Sequence, residues 1–139
     1  MLDTSVLVSY FRTGKYRAFL LGGLEQGTIF LPGVVLCELL AAATSPGDRA
    51  DLEALRRALG PHVLGTDAQD WVLAGRCLAR YSARWGRIRP RDHIADVVVA
   101  VSAIRLGAIL ASEDLGQMRR WSWIAGRLGW NLVVQGIGE

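Results

Sequence analysis

The sequence has little of what would staple a chain or anchor it in a bilayer. Among 139 residues it holds two cysteines, four prolines, two histidines and one lysine, Lys15. Cys37 and Cys77 stand alone in apolar segments without CxxC or Cys/His spacing. That argues against a zinc site or a disulfide framework, and both read as reduced core thiols. Long apolar runs are missing too. The longest uncharged stretch, Gln26 to Cys37, is twelve residues and contains Pro32, whereas about 20 consecutive apolar residues are needed to cross a bilayer. The opening Met-Leu-Asp-Thr-Ser places no basic stretch ahead of an apolar one. The expectation is therefore a cytoplasmic protein without a signal peptide or membrane span. No repeat, low-complexity run or long linker interrupts the chain, so residues 1–139 read as one domain.

What is present is apolar. Hydrophobic residues make up 51% and charged residues 21%, with a mean hydropathy of +0.25, which excludes disorder and supplies a core. Sixteen basic and thirteen acidic residues give a net charge of +3. That excess permits a polyanionic partner without demanding one.

Periodicity then alternates between short apolar runs and amphipathic stripes. Tyr16 to Gln26 reads as a helix stopped at Gly27, and Thr28 to Leu31 as a strand. Pro32 suits the first turn of a helix that runs through Leu40 to the Ser45-Pro46-Gly47 break. Asp48 is placed to cap a helix carrying Leu52, Leu55 and Leu59, and Gly60-Pro61 ends it. Thr66 with Gln69 suggests a capping box for a helix whose Trp71, Ala74, Leu78, Tyr81 and Trp85 share a face. The valine run from Val97 to Val101 has strand-like composition. Yet no Gly or Pro occurs between Arg91 and Leu106, and the spacing of Ile94, Val97, Val98, Val101 and Ile104 favours a helix over Asp92 to Arg105. Ala108 to Ala111 and Asn131 to Val134 read as further strands. Such alternation implies an α/β fold, a three-layer α/β/α sandwich around a mostly parallel sheet, with chemistry outside the carboxyl ends of its strands.

Four acids sit where a solvated charge is out of place. Asp3 follows the first apolar residues, Glu38 interrupts an apolar helix, Asp96 immediately precedes the valine run, and Asp114 falls just past a strand. Taken singly each has a structural reading: Asp3 capping a helix at Thr4, Asp114 capping the turn at Leu115, Glu38 or Asp96 pairing with an arginine. Taken together they pose an electrostatic problem. Two carboxylates about 4 Å apart repel by roughly 4 kcal/mol at an effective dielectric near 20. A cluster of four needs cations, and an all-oxygen set without paired His or Cys selects Mg²⁺ or Mn²⁺ over zinc.

In order along the chain, Leu2-Asp3-Thr4-Ser5-Val6-Leu7, Glu38 on a helix after a Leu-Pro strand end, Asp96-Val97-Val98-Val99-Ala100, and Ile109-Leu110-Ala111-Ser112-Glu113-Asp114 resemble the four acidic motifs of PIN-domain ribonucleases. The nearest resemblance is to the VapC toxins of bacterial toxin–antitoxin pairs. It implies a PIN-like sandwich, Mg²⁺ or Mn²⁺ held by Asp3, Glu38, Asp96 and Asp114, endonucleolytic cleavage of RNA, a small antitoxin protein as partner, and a homodimer. Two departures stand out: the first strand is unusually short, and Ser112 replaces the family's usual Thr while keeping a hydroxyl. Trp121 to Trp130 also looks longer than the family's link to its last strand.

Around these motifs, Thr4 and Ser112 are candidate substrate-side hydroxyls. Arg87, Arg89 and Arg91, with Arg84, are dense enough to grip RNA phosphates, although arginines after a helix also answer its dipole. Asp92 reads as an N-cap before an outer-sphere acid, His62 and His93 as surface or strand-edge residues, and Trp121, Trp123 and Trp130 as core or dimer contacts before base stacking. The alternative function is a catalytically silent PIN-like protein that only binds RNA or a partner. A phosphohydrolase of the DxD kind fits less well, because Asp3-Thr4-Ser5 lacks the second aspartate.

Overall fold

Short strands and capped helices follow from the sequence punctuation. A computed structural model describes residues 1–138, so Glu139, the last residue of the expected unit, lies outside the described residues. Helix α1 (Thr4–Thr13) starts at an Asp3 cap and ends at left-handed Gly14, and α2 (Arg17–Glu25) follows. Strand β1 (Leu31–Pro32) leads directly into α3 (Gly33–Ala42), and α4 (Pro46–Leu59) comes next. A 3-10 turn then precedes β2 (Val63–Leu64) and α5 (Ala68–Trp85). The chain closes with α6 (Ile94–Leu106), β3 (Leu110–Ala111), α7 (Leu115–Arg127) and β4 (Val134–Gln135).

Among the described residues every strand pairing is parallel: β1 with β2, β3 with β4, and Leu2 with Ala111. Parallel neighbours require helical crossovers, which is why helices separate every pair. The first three residues join the two strand pairs. Leu2 N donates to Phe30 O at 3.1 Å, Asp3 N to Ala111 O at 3.0 Å, and Ala111 N to Met1 O at 2.9 Å. The α/β fold and parallel pairing are thus as expected. The strands are shorter and later than expected, Leu31–Pro32 and Val134–Gln135 in place of runs from Thr28 and from Asn131, because the register is set by Val63 and Leu110 across the ladder.

The valine run is helical. Every residue of α6 from Val97 to Ala103 is buried, so this helix is surrounded on all sides. Helices α5 and α7 pack against α6, and α3 packs between α4, α6 and α1. Several local expectations shift. The capping box of α5 is Asp67 with Asp70, one residue later than Thr66 with Gln69. Asp70 also pairs with Arg105 at 3.1 Å. Ser45 caps α4 in place of Asp48 by accepting the Asp48 amide. The buried face of α5 is Asp70, Ala74, Cys77 and Tyr81, leaving Trp71 and Trp85 exposed. Cys77 is buried and its thiol is pushed up to about 11 by desolvation. Cys37 is exposed, because α3 turns Val35, Leu36 and Leu39 inward. No helix among the described residues is long and apolar enough to cross a membrane.

Candidate active site

Three of the four acids leave the carboxyl ends of parallel segments. Asp3 follows Leu2, Glu38 rides on the helix that leaves β1, and Asp114 follows β3. Asp96 enters from the first turn of α6. Asp3 is buried, Asp96 half-buried, and Glu38 and Asp114 exposed, so the set grades from interior to surface.

Hydroxyls tie these acids together. Ser112 Oγ donates to Asp3 Oδ2 at 2.7 Å and accepts from Asp114 N at 3.0 Å. Ser5 Oγ also donates to Asp3 Oδ2, at 2.8 Å, and accepts the Glu113 amide at 3.0 Å. Thr4 Oγ1 donates to Glu38 Oε2. Thr4 and Ser112 therefore hold acids in place as the structure stands. Asp3 Oδ1 accepts from Thr4 N at 2.7 Å, and Asp114 Oδ1 from Gln117 N at 3.1 Å, so both aspartates cap helices as well. A carboxylate oxygen has two lone pairs, and capping leaves capacity for a further ligand.

The four acids share one electrostatic field. Burial first, and then the charges of Asp3, Glu38 and Asp114, push the Asp96 carboxyl up to about 6. No lysine or arginine among the described residues forms an ion pair with any of the four. Convergence is nonetheless incomplete: among the described residues, no three carboxylate, imidazole or thiol groups stand close enough to hold an ion as the side chains lie. Asp3, Glu38 and Asp114 each commit an oxygen to a hydroxyl or amide. An uncompensated set of oxygen donors of one sign is chemically suited to a hard divalent cation.

The other expected residues divide. Arg87, Arg89 and Arg91 are exposed and line a shared surface cavity with Ile88 and Pro90, and Arg91 lies 3.7 Å from Asp92. Asp92 is not an N-cap: it lies in a 3-10 turn, and the N-cap residue of α6 is His93, which makes no side-chain cap. His93 packs against Tyr81 and Trp121, and His62 stacks on Phe30 and approaches Ile29 O.

Sequence reasoning passed over Ser5, Glu113 and Gln117. Glu113 accepts from Ser9 Oγ, from Tyr16 OH at 2.6 Å and from Lys15 Nζ at 2.9 Å. Together these donors hold its carboxyl down to about 2, Ser9 contributing most. Tyr16, the N-cap residue of α2, has a left-handed φ of 64°. The only signal for Ser5 was a hydroxyl two residues after Asp3.

Parallel strands with acids at their carboxyl ends define a class, and residues 1–121 match the PIN domain. The chain belongs to that family. Its fold is similar to VapBC2 from Rickettsia felis, bound to a DNA fragment from their promoter: TM-score 0.76 at 18% identity, over 99% of this chain and 98% of that chain. DNA-bound VapBC from Salmonella typhimurium is similar at TM-score 0.74 and 19% identity, over 98% and 96%. FitAB bound to an IR36 DNA fragment gives TM-score 0.70 at 16% identity, over 97% and 92%. No curated protein sequence matches the chain.

Proposed function

We propose that this protein is a Mg²⁺- or Mn²⁺-dependent endoribonuclease, the toxin of a toxin–antitoxin pair. The observation that carries this reading is the single field shared by Asp3, Glu38, Asp96 and Asp114 without a basic counter-charge. Family membership supports divalent-metal nuclease chemistry. In this reading the four acids are the catalytic residues and hold the metal. A divalent cation bound there supplies the Lewis acidity that makes water a nucleophile at neutral pH and offsets charge on the leaving oxygen. Ser112 and Thr4 keep Asp3 and Glu38 oriented, and Arg87, Arg89 and Arg91 attract RNA phosphates to the rim. No side chain is needed as nucleophile.

A small antitoxin protein as partner, a homodimer and a cytoplasmic setting belong to the same proposal. The similar structures are VapBC and FitAB assemblies, which supports the partner. The test is expression in a bacterial host: the wild type alone slows growth, and Asp3→Ala relieves it. Equal toxicity of the two forms separates toxicity from the acids and overturns the reading.

A further inference from the structure

Two tryptophans that a soluble core would normally absorb lie on the surface together. Trp85 ends α5 and Trp123 lies in α7, with ring centroids 5.4 Å apart, edge to face, and they are 37% and 42% exposed. Arginines crowd both rings. The Arg84 guanidinium lies 5.5 Å from the Trp85 ring and 6.0 Å from that of Trp123, Arg120 lies 5.6 Å from Trp85, and Arg127 5.1 Å from Trp123. Those distances are at the loose end of cation–π contact. None of the three arginines makes an ion pair among the described residues. Three uncompensated charges sit here on a chain whose net charge is +3.

The patch shares a helix with the segment that carries Asp114. Arg120, Trp123 and Arg127 follow each other at spacings of three and four along α7, which places them on one face. That helix begins at Asp114, and a rise of about 1.5 Å per residue puts Trp123 roughly 14 Å from that end. Tyr81 packs on Trp85, takes a hydrogen bond from Arg120 at 2.9 Å, and touches His93 at the start of the helix that carries Asp96.

We propose that Trp85 and Trp123, with Arg84, Arg120 and Arg127, form a docking platform for the single-stranded flank of the RNA, bases stacking on the indoles and phosphates meeting the guanidinium groups. Half-exposed indoles with guanidinium groups over their rings offer a nucleotide planes to stack on, indole or guanidinium, and cations for its phosphate, and such platforms tolerate any base. A second copy of the same face would set three arginines against three, so charge disfavours a dimer through it. The proposal rests on the ribonuclease reading for the choice of RNA, but its test does not need cleavage.

The probe is a fluorescein-labelled oligouridylate twelve nucleotides long, titrated into the intact protein in EDTA, with anisotropy and tryptophan quenching as readouts. The wild type binds and its fluorescence falls. W85A/W123A weakens binding at least tenfold, W85F/W123F recovers most of the loss, and R84Q/R127Q reduces the salt dependence of log K by about two. Circular dichroism and the melting midpoint verify that each variant is folded. With Mg²⁺ or Mn²⁺ present, the double alanine variant raises KM for long RNA and leaves kcat unchanged. Binding without cleavage by the wild type sinks the nuclease reading and leaves the platform standing. Unchanged oligouridylate affinity in folded W85A/W123A overturns the platform, as does a shift from dimer to monomer in sedimentation with RNA affinity intact.

Discussion

Ser112 Oγ donates to Asp3 Oδ2 at 2.7 Å across 109 residues of sequence. The same hydroxyl accepts the Asp114 amide at 3.0 Å. One buried hydroxyl thus fixes buried Asp3 against the loop that carries exposed Asp114. Removing it leaves the buried Asp3 carboxylate short of a donor. Ser112→Ala should cost about 1–3 kcal/mol of stability, read from the urea midpoint, and lower RNA cleavage at least tenfold. A variant with unchanged stability would show that Ser5 alone satisfies Asp3.

Asp96 gives a prediction with a definite sign. Its folded value lies at about 6, above the ordinary 3.8, so it favours the folded state below about pH 4 and that contribution is lost as pH rises through 6. Asp96→Asn removes the penalty. In chelator at pH 7.5 the variant should be more stable than wild type by about 1 kcal/mol, a figure reduced for the solvent screening of a half-exposed group. Mg²⁺ should raise the melting point of the wild type and leave the variant nearly unmoved. Calorimetry at pH 4.5, 6 and 7.5 decides it: a constant difference between the two proteins contradicts the assignment.

Glu113 titrates in the opposite sense. Ser9, Tyr16 and Lys15 hold its carboxyl down to about 2, so its contribution is present above about pH 4.5 and lost as pH falls toward 2. Glu113→Gln should therefore flatten the acid limb of the stability curve between pH 4.5 and 2. The check is the far-UV signal of both proteins across that range, and coincident acid limbs would sink the prediction.

The four acids stand out in the sequence because a charge in an apolar stretch has to be accounted for, and Asp96 before a valine run shows this most plainly. Helix α6 was legible through length and the lack of Gly or Pro. The faces of mixed helices were not. Cys37 lies in a helix apolar nearly all round, so sequence alone does not say that Val35, Leu36 and Leu39 turn inward and Cys37 outward. Trp85 falls on the apolar stripe read for α5 but is exposed, with Tyr81 and Trp123 against it and Arg84 and Arg120 over its ring. Strand β2 was missed because two residues after a Gly-Pro break carry no periodicity, and only pairing with Leu31 and Pro32 defines it. The Thr4 and Ser112 hydroxyls were readable as site neighbours from the acidic motifs that hold them, whereas the contacts of Glu113 with Ser9, Lys15 and Tyr16 cross about a hundred residues and leave no local signal.

The central claim is that these acids arm water for attack on a phosphodiester. End-group analysis of the RNA products tests it most directly, with Mg²⁺, with EDTA, and with Asp96→Asn. Metal-activated water leaves 5′-phosphate and 3′-hydroxyl ends, needs no 2′-hydroxyl, and fails in EDTA and in the variant. A 2′,3′-cyclic phosphate, formed equally in EDTA and lost on mutating His62 or His93, would contradict the account and return Asp3, Glu38, Asp96 and Asp114 to structural roles.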